Sequence, residues 1–400
     1  MAYNFPDSPT YNEVFGVYKW DGEKWILAAG GVGDDSLIPF KWNSADISSG
    51  MTLAQSDITV EHMSGTTEGV RANKVITGKK VFAVHFDSWS GSGTRIGVTR
   101  AALDLAATNL GTTTDSVVFN TPLGTVLYNG SPVATYTAVG AAYLVLVAFD
   151  DSGGSGAIKI WFGHMAYGGS PTWNGNPSAG TSAAKSDLTT GPWFPVVGNV
   201  NVGPTERVTL VPVPVGAIPS GFTAMDPNVS PIWVGSMWQP LTGAGGPLGA
   251  AFNLRQEIPA SWIFRGGTQV RLTYQAATGG MTVNHATIAQ KAASGDAWDW
   301  QPGTDAQVTF SSAASSGAIA SLTRMTSDVI TYTLDETKAH ICGIMHLSTT
   351  DNMASTSNPN GFANHILFSS TDALNTADVS GYSTFANAVR SLVGIEVPYV

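Results

Sequence analysis

Side chains able to do chemistry are few in this chain and far apart. The seven histidines are His62, His85, His164, His285, His340, His346 and His365, and the one cysteine is Cys342. There is no Gly-x-Ser-x-Gly elbow, no His-Glu-x-x-His and no phosphate-cradling loop ending in Lys-Ser/Thr. Nothing sets a base beside a nucleophile with a third group to orient it, so no catalytic residue is assigned. Asp150 and Asp151 end an apolar run, where turn formation accounts for them. Two acids from different loops, cleaving polysaccharide, would escape such a reading. In Ala339–His346, strand alternation puts His340, Cys342 and His346 on one face, three zinc-capable side chains in a row. Same-face neighbours lie about 7 Å apart, too far to converge on one ion without a bulge. The run therefore reads as a small buried thiol with histidines near a sheet edge, and no metal is assigned.

The remaining chemistry is stacking. Trp89, Trp173, Trp298 and Trp300 stand among Ser, Gly, Asn and Asp, the setting of loops. A ring there can pack on the apolar face of a sugar, with Asn and Asp neighbours such as Asn174 taking the hydroxyls. The same rings can plug a sandwich end or a subunit interface. Trp161, on an apolar run, reads as core.

The elements that must position these residues are strands. Val81–Phe86 and Tyr143–Phe149 are short apolar runs, each ended by Asp, as in strands buried on both faces. Val270–Tyr274, Ile330–Leu334 and Val393–Tyr399 alternate apolar with polar, the period of half-buried strands, the last closing a sheet. Turn clusters such as Asp151–Gly156 and Asn129–Pro132 separate them. Arg100–Leu110 and Thr384–Ser391 read as helical. The sum is an all-β chain of sandwiches or jelly rolls.

Composition agrees. The chain has 400 residues, 43% of them hydrophobic and only 12% charged, about half the usual charge. Its 12 Trp, 16 Phe and 11 Tyr argue against disorder. With 19 Lys+Arg against 29 Asp+Glu, and no basic cluster, nucleic-acid backbone binding is not expected. A single cysteine excludes an intrachain disulfide. The start, MAYNFPDSPTYNEVF, has no basic and apolar leader, so no signal peptide and manufacture in a cytoplasm are expected. Ala141–Phe149 is far short of the roughly 20 apolar residues of a membrane span. Breakers divide the chain into 1–45, 46–230 and 231–400.

Three resemblances add to this. Asn4–Thr10, then Phe15 to Trp25 with Trp20-Asp21-Gly22 and Trp25, resembles a short motif of tailed-bacteriophage structural proteins, "FP-x-x-P" leading into "W-x-G-x-x-W". Asp21-Gly22 is a strong hairpin turn between the two tryptophans. A unit so small gains most of its burial from a neighbour, so Trp20, Asp21, Gly22 and Trp25 are read as a virion-docking hairpin. Residues 55–228 resemble a SPRY domain, a concanavalin-type β-sandwich. The matching pieces are Arg71–His85, Arg95–Val98, Leu146–Asp150, Ile158–Gly163, Trp173–Pro177, Phe194–Val197 and Pro219–Phe222. The usual asparagine–glycine after the tryptophan strand is replaced by His164–Gly169, and the "NFG" by Asn201-Val202-Gly203. The last unit, through Val283–Ile288, Ala293–Asp299, Gln307–Phe310 and Thr326–Asp335, resembles a β-rich phage module, which implies a jelly-roll fold.

These resemblances imply a non-enzymatic tailed-phage virion protein exposed on the particle. A tail fibre or receptor-binding appendage that contacts host-surface glycan comes first, with capsid decoration (head fibre) or a baseplate role as alternatives. A glycan-cleaving depolymerase is the alternative of another class. Other virion proteins and further copies of the chain are the expected partners. No cofactor is expected.

Overall fold

The computed structural model describes residues 40–62, 68–88, 93–105, 109–139, 143–166, 169–189, 191–199, 207–227, 232–238, 241, 249–357, 363–386 and 388–399, with three short strands before them. The chain divides into two compact units, Met1–Phe40 and Lys41–Val400. In the first, Val14–Phe15, Tyr18–Trp20 and Trp25–Leu27 form an antiparallel sheet. Trp20 pairs with Trp25 across the 21–24 connection. Asp21 and Gly22 lie outside the described residues.

The second unit is all-β, with several antiparallel sheets. Its first half pairs two large sheets. One runs in the order Ser131–Thr135, Thr125–Tyr128, Ser116–Asn120, Arg95–Arg100, Trp193–Asn199, Glu68–Ala72, Trp42–Ile47. The other runs Thr172–Trp173, Ile158–Ala166, Tyr143–Asp150, Lys79–Ser88, Arg207–Val211, Thr59–His62, Met51–Ala54. Tyr143–Asp150 is inaccessible on both faces beyond its first residue, as its unbroken apolar run predicts. On its neighbour, alternation sends Phe162 toward Phe119 of the facing sheet, ring centroids 5.8 Å apart. Trp161 points the other way, edge-on to Phe222, and is fully buried as expected.

The second half also has two principal sheets. Trp233–Trp238, Leu392–Pro398, Gly267–Gln275 and Arg324–Thr326 form one, with Ile330–Leu334 also on Gly267–Gln275. The other runs Ala306–Val308, His285–Gln290, His340–His346, Phe252–Ile258, Ala363–Leu367, Ser383–Ala386. Tyr332, from the first sheet, meets His340 of the second with rings 5.6 Å apart.

Several expectations are corrected. Arg100–Leu110 is not helical: Arg100 ends the strand Arg95–Arg100, and the rest of the described part is turn and irregular chain. Leu103, Leu105 and Leu110 pack with Val118 and Val196, and Arg71 donates to the carbonyls of Arg100 and Leu103, which a helix would have used itself. Thr384–Ser391 falls in the strands Ser383–Ala386 and Ala388–Arg390, drawn out by pairing with Ala363–Leu367 and Ser355–Ser357. Among the described residues the only helices are two 3₁₀ turns, Val215–Ala217 and Ala260–Trp262. Leu392–Pro398 is neither half-buried nor at an edge: it lies between two strands with both faces covered.

That last difference has a cause. The polar residue that makes the strand alternate, Glu396, is drawn into a buried ionic junction between the two halves. Arg207 of the first half is ion-paired with Glu61, with Asp87 (3.3 Å) and with Glu396. Arg271 lies 3.0 Å from the other oxygen of Glu396, and Arg324 joins Glu61. Asp87 also accepts from Thr209 Oγ1 (2.7 Å) and from the Gly235 N–H (2.9 Å), which ties the second half's first strand to Lys79–Ser88. Burial alone would push the Asp87 carboxyl up; Arg207 and the hydrogen-bonded His85 outweigh it and hold it below its ordinary value.

Candidate functional site

The strand pair Ile158–Ala166 and Thr172–Trp173 builds the site. Gly163 pairs with Trp173 and His164 with Thr172. A Cβ on Gly163 would lie 2.8 Å from the fused-ring atoms of Trp173. The absence of that carbon lets the indole settle onto the strand. Trp173 is held there while remaining partly exposed.

The segment that follows is fastened to the same strand. Asn174 N–H donates to the Phe162 carbonyl at 2.9 Å, and Asn174 Oδ1 accepts the Phe162 N–H. Further on, the Trp161 indole N–H donates to the Thr181 carbonyl and Lys159 Nζ to the Gly180 carbonyl, at 2.9 and 2.8 Å. A loop tied at four points keeps its geometry without a ligand.

Opposite stands Tyr136. Its backbone N–H donates to the Gly124 carbonyl at 2.6 Å. Gly124 has φ +65, and a Cβ there would strike the Tyr136 carbonyl. Glycine at this turn therefore lets the chain bring Tyr136 close. Asn174 Nδ2 donates to Tyr136 Oη, which leaves the phenolic proton free to point elsewhere. Burial raises the Tyr136 pKa, and Asn174 offsets this only in part, so the phenol remains a neutral donor. Phe119 and Phe162 floor the cleft; Tyr136, Thr137, His164, Thr172, Trp173 and Asn174 wall it, around about 140 Å³. Desolvation lowers the His164 pKa, so its imidazole is uncharged at neutral pH. The cleft combines aromatic surface with neutral hydrogen-bonding groups and no charge.

Of the residues singled out by sequence, the structure joins Trp173 and Asn174 here. Trp89 lies outside the described residues. Trp298 is half-buried and spends its indole N–H on the Val379 carbonyl at 2.9 Å. Trp300, read as a loop aromatic open to a ligand, is 1% exposed. Arg255, with its guanidinium 3.8 Å from the Trp300 ring centroid, donates to the carbonyls of Trp298, Ala373, Thr376 and Ala377 and draws the 373–377 segment over it. Those contacts turn a polar-looking loop into a core with Ile341, Met345 and Leu374.

The His340–His346 strand is interior, not near an edge, with Phe252–Ile258 and His285–Gln290 on its two sides. His340 bonds the Tyr332 hydroxyl and, through Nε2, the Asp335 carbonyl at 3.0 Å. Burial pushes the Cys342 thiol up, as for an inert core cysteine. Among the described residues no three His, Cys, Asp or Glu side chains are grouped to hold a metal ion. None of their helices is long and apolar enough to cross a membrane.

Sequence reasoning passed over Phe119, Tyr136 and Thr172, and counted His164 among the histidines without assigning it to a site. The one local signal was Gly163-His164 in the middle of an apolar strand, a place where glycine marks close approach. Tyr136 lies 38 residues from Asn174 and gives no local signal.

No protein-family model matches the chain, and no curated protein does. Among solved structures the chain is similar to the SPRY domain of human HERC1, at 20% identity and a TM-score of 0.35, covering 42% of this chain and 96% of that one. It is similar to the TRIM65 PSpry domain at 16% identity and a TM-score of 0.32, covering 43% and 91%. A human SPRY domain is similar at 17% identity and a TM-score of 0.31, over 40% and 94%.

Proposed function

We propose that this chain is a non-enzymatic surface protein of a tailed-phage particle, an appendage of the tail-fibre type that holds host-surface glycan in the cleft beside Trp173. The observation that carries the proposal is the cleft itself. The rings of Phe119 and Phe162 lie beside a free phenolic proton, a neutral imidazole and two threonines, and Trp173, its indole seated on Gly163, completes the lining at the edge of the strand pair. Sugars offer an apolar ring face and neutral hydroxyls, which these groups complement. The low charge of the chain suits a protein repeated many times in an assembly and exposed to the medium. The Trp20–Trp25 hairpin is the piece that would dock on other virion proteins, and copies of the chain would associate with one another.

The test is paired: cell adsorption and thermal melting of Trp173→Ala and Trp161→Ala. Trp173→Ala is expected to lose adsorption with little change in melting, since a partly exposed ring buries less on folding. Trp161→Ala is expected to cost about 3–5 kcal/mol. Normal adsorption by Trp173→Ala would overturn the glycan reading. Release of reducing ends from host polysaccharide would replace the binding role with a depolymerase.

A further inference from the structure

The wall of the Trp173 cleft continues into a larger groove. His164, at one end of the cleft, has its ring 5.9 Å from that of Tyr143. Tyr143 pairs with Ala166, the next residue after His164 on the same face of the strand. Tyr143 and Ala166 in turn wall a groove of about 590 Å³, closed on its other side by Phe264–Thr268 and Thr333–Glu336 from the second half of the unit. Cleft and groove thus share one strand, and one step along its face, about 7 Å, leads from the first to the second. Tyr143, 37% exposed, stands at the crossing.

We propose that cleft and groove form a single glycan path across the two halves, taking a linear oligosaccharide free of carboxylate groups. The inference rests on the reading of the cleft as a glycan site and adds the length and charge class of the ligand. Length follows from the shared wall, since a monosaccharide in the cleft would leave the larger groove unused. Charge follows from the far wall. Asp335 and Glu336 line it, and the arginine there, Arg265, is buried with its guanidinium over the Tyr399 ring at 5.1 Å. The Thr337 hydroxyl and N–H bond Asp335 and hold its carboxyl below the ordinary value, so it is charged at neutral pH. Gly266 leaves room for the Glu336 carboxylate beside the backbone. A uronic acid entering between these groups meets like charge, whereas hydroxyls meet acceptors along with Thr268 and Thr333.

The experiment is calorimetric titration of the full chain with neutral oligosaccharides from disaccharide to octasaccharide, chosen by a bacterial-glycan array, and with matched uronate-containing chains. The neutral octasaccharide is expected to bind about tenfold or more tighter than the disaccharide. Thr333→Trp should remove that gain and leave the disaccharide affinity and the melting temperature unchanged, and Tyr143→Ala should reduce the gain. Glu336→Gln should narrow the gap between neutral and uronate chains. If length brings no gain, or Tyr143→Ala and Thr333→Trp bind the octasaccharide normally while Trp173→Ala abolishes all binding, the extended path is wrong and the cleft reading stands. Equal affinity for uronate chains overturns the charge class. If Trp173→Ala is without effect, or no glycan binds, both readings fall.

Discussion

Arg207→Met removes one charge and leaves three behind. The guanidinium of Arg207 is almost wholly out of water, and so are its partners Asp87 and Glu396. Without it Asp87 retains His85, Thr209 and the Gly235 N–H, and Glu396 retains Arg271. Glu396 keeps one cation, but the fully buried Asp87 carboxylate loses its arginine. Removal of one partner from such a group costs about 3–5 kcal/mol, because the remaining charge has lost its compensation. With about 2.1 cal/mol/K of unfolding entropy per residue, the Lys41–Val400 unit should melt about 4–7 °C lower. Methionine fills much of the vacated volume, so a cavity is a minor part of the loss. Calorimetry across pH gives the second readout. The native Asp87 pKa lies below its unfolded value, so its stabilisation is present above the ordinary carboxylate range and is lost as pH falls through the depressed value. In Arg207→Met that acid limb should move to higher pH. A melt within about 1 kcal/mol of the parent, with the acid limb unmoved, would refute the assignment of the junction as a buried, mutually dependent ion group.

Three further outcomes are expected. Trp300→Ala should cost about 3–5 kcal/mol by urea denaturation while glycan binding at the Trp173 cleft is unchanged, since it empties a core beneath Arg255. Gly163→Ala should displace the Trp173 indole, cost about 1–3 kcal/mol and shift tryptophan fluorescence, because the added carbon falls 2.8 Å from the ring. Cys342 should resist iodoacetamide in the native protein and react once unfolded in urea, as mass spectrometry would show. Its burial both shields the sulfur and raises the thiol pKa.

What the sequence determined by itself is the all-β class and the strands of the core. Val81–Phe86 and Tyr143–Phe149 lie inside Lys79–Ser88 and Tyr143–Asp150, and Ile330–Leu334 alternates buried and exposed as its residues do. Strand propensity and alternation are local properties, so a window of a few residues carries them. Trp161 was legible for the same reason: its neighbours on the strand are apolar. What only the tertiary structure decided is the fate of residues whose partners are distant in the chain. Trp300 looks exposed among Asp and Gln until Arg255 and 373–377 close over it. Glu396 looks like the wet side of a strand until Arg207, 189 residues away, takes it inside. Arg100–Leu110 has a helical pattern, yet Arg71 captures its carbonyls. The cleft depends on Tyr136 meeting Asn174 across two separate connections. A polar group far from its partner in sequence looks solvated, and only the packed structure, by supplying the opposite charge or the hydrogen bond, makes its burial affordable.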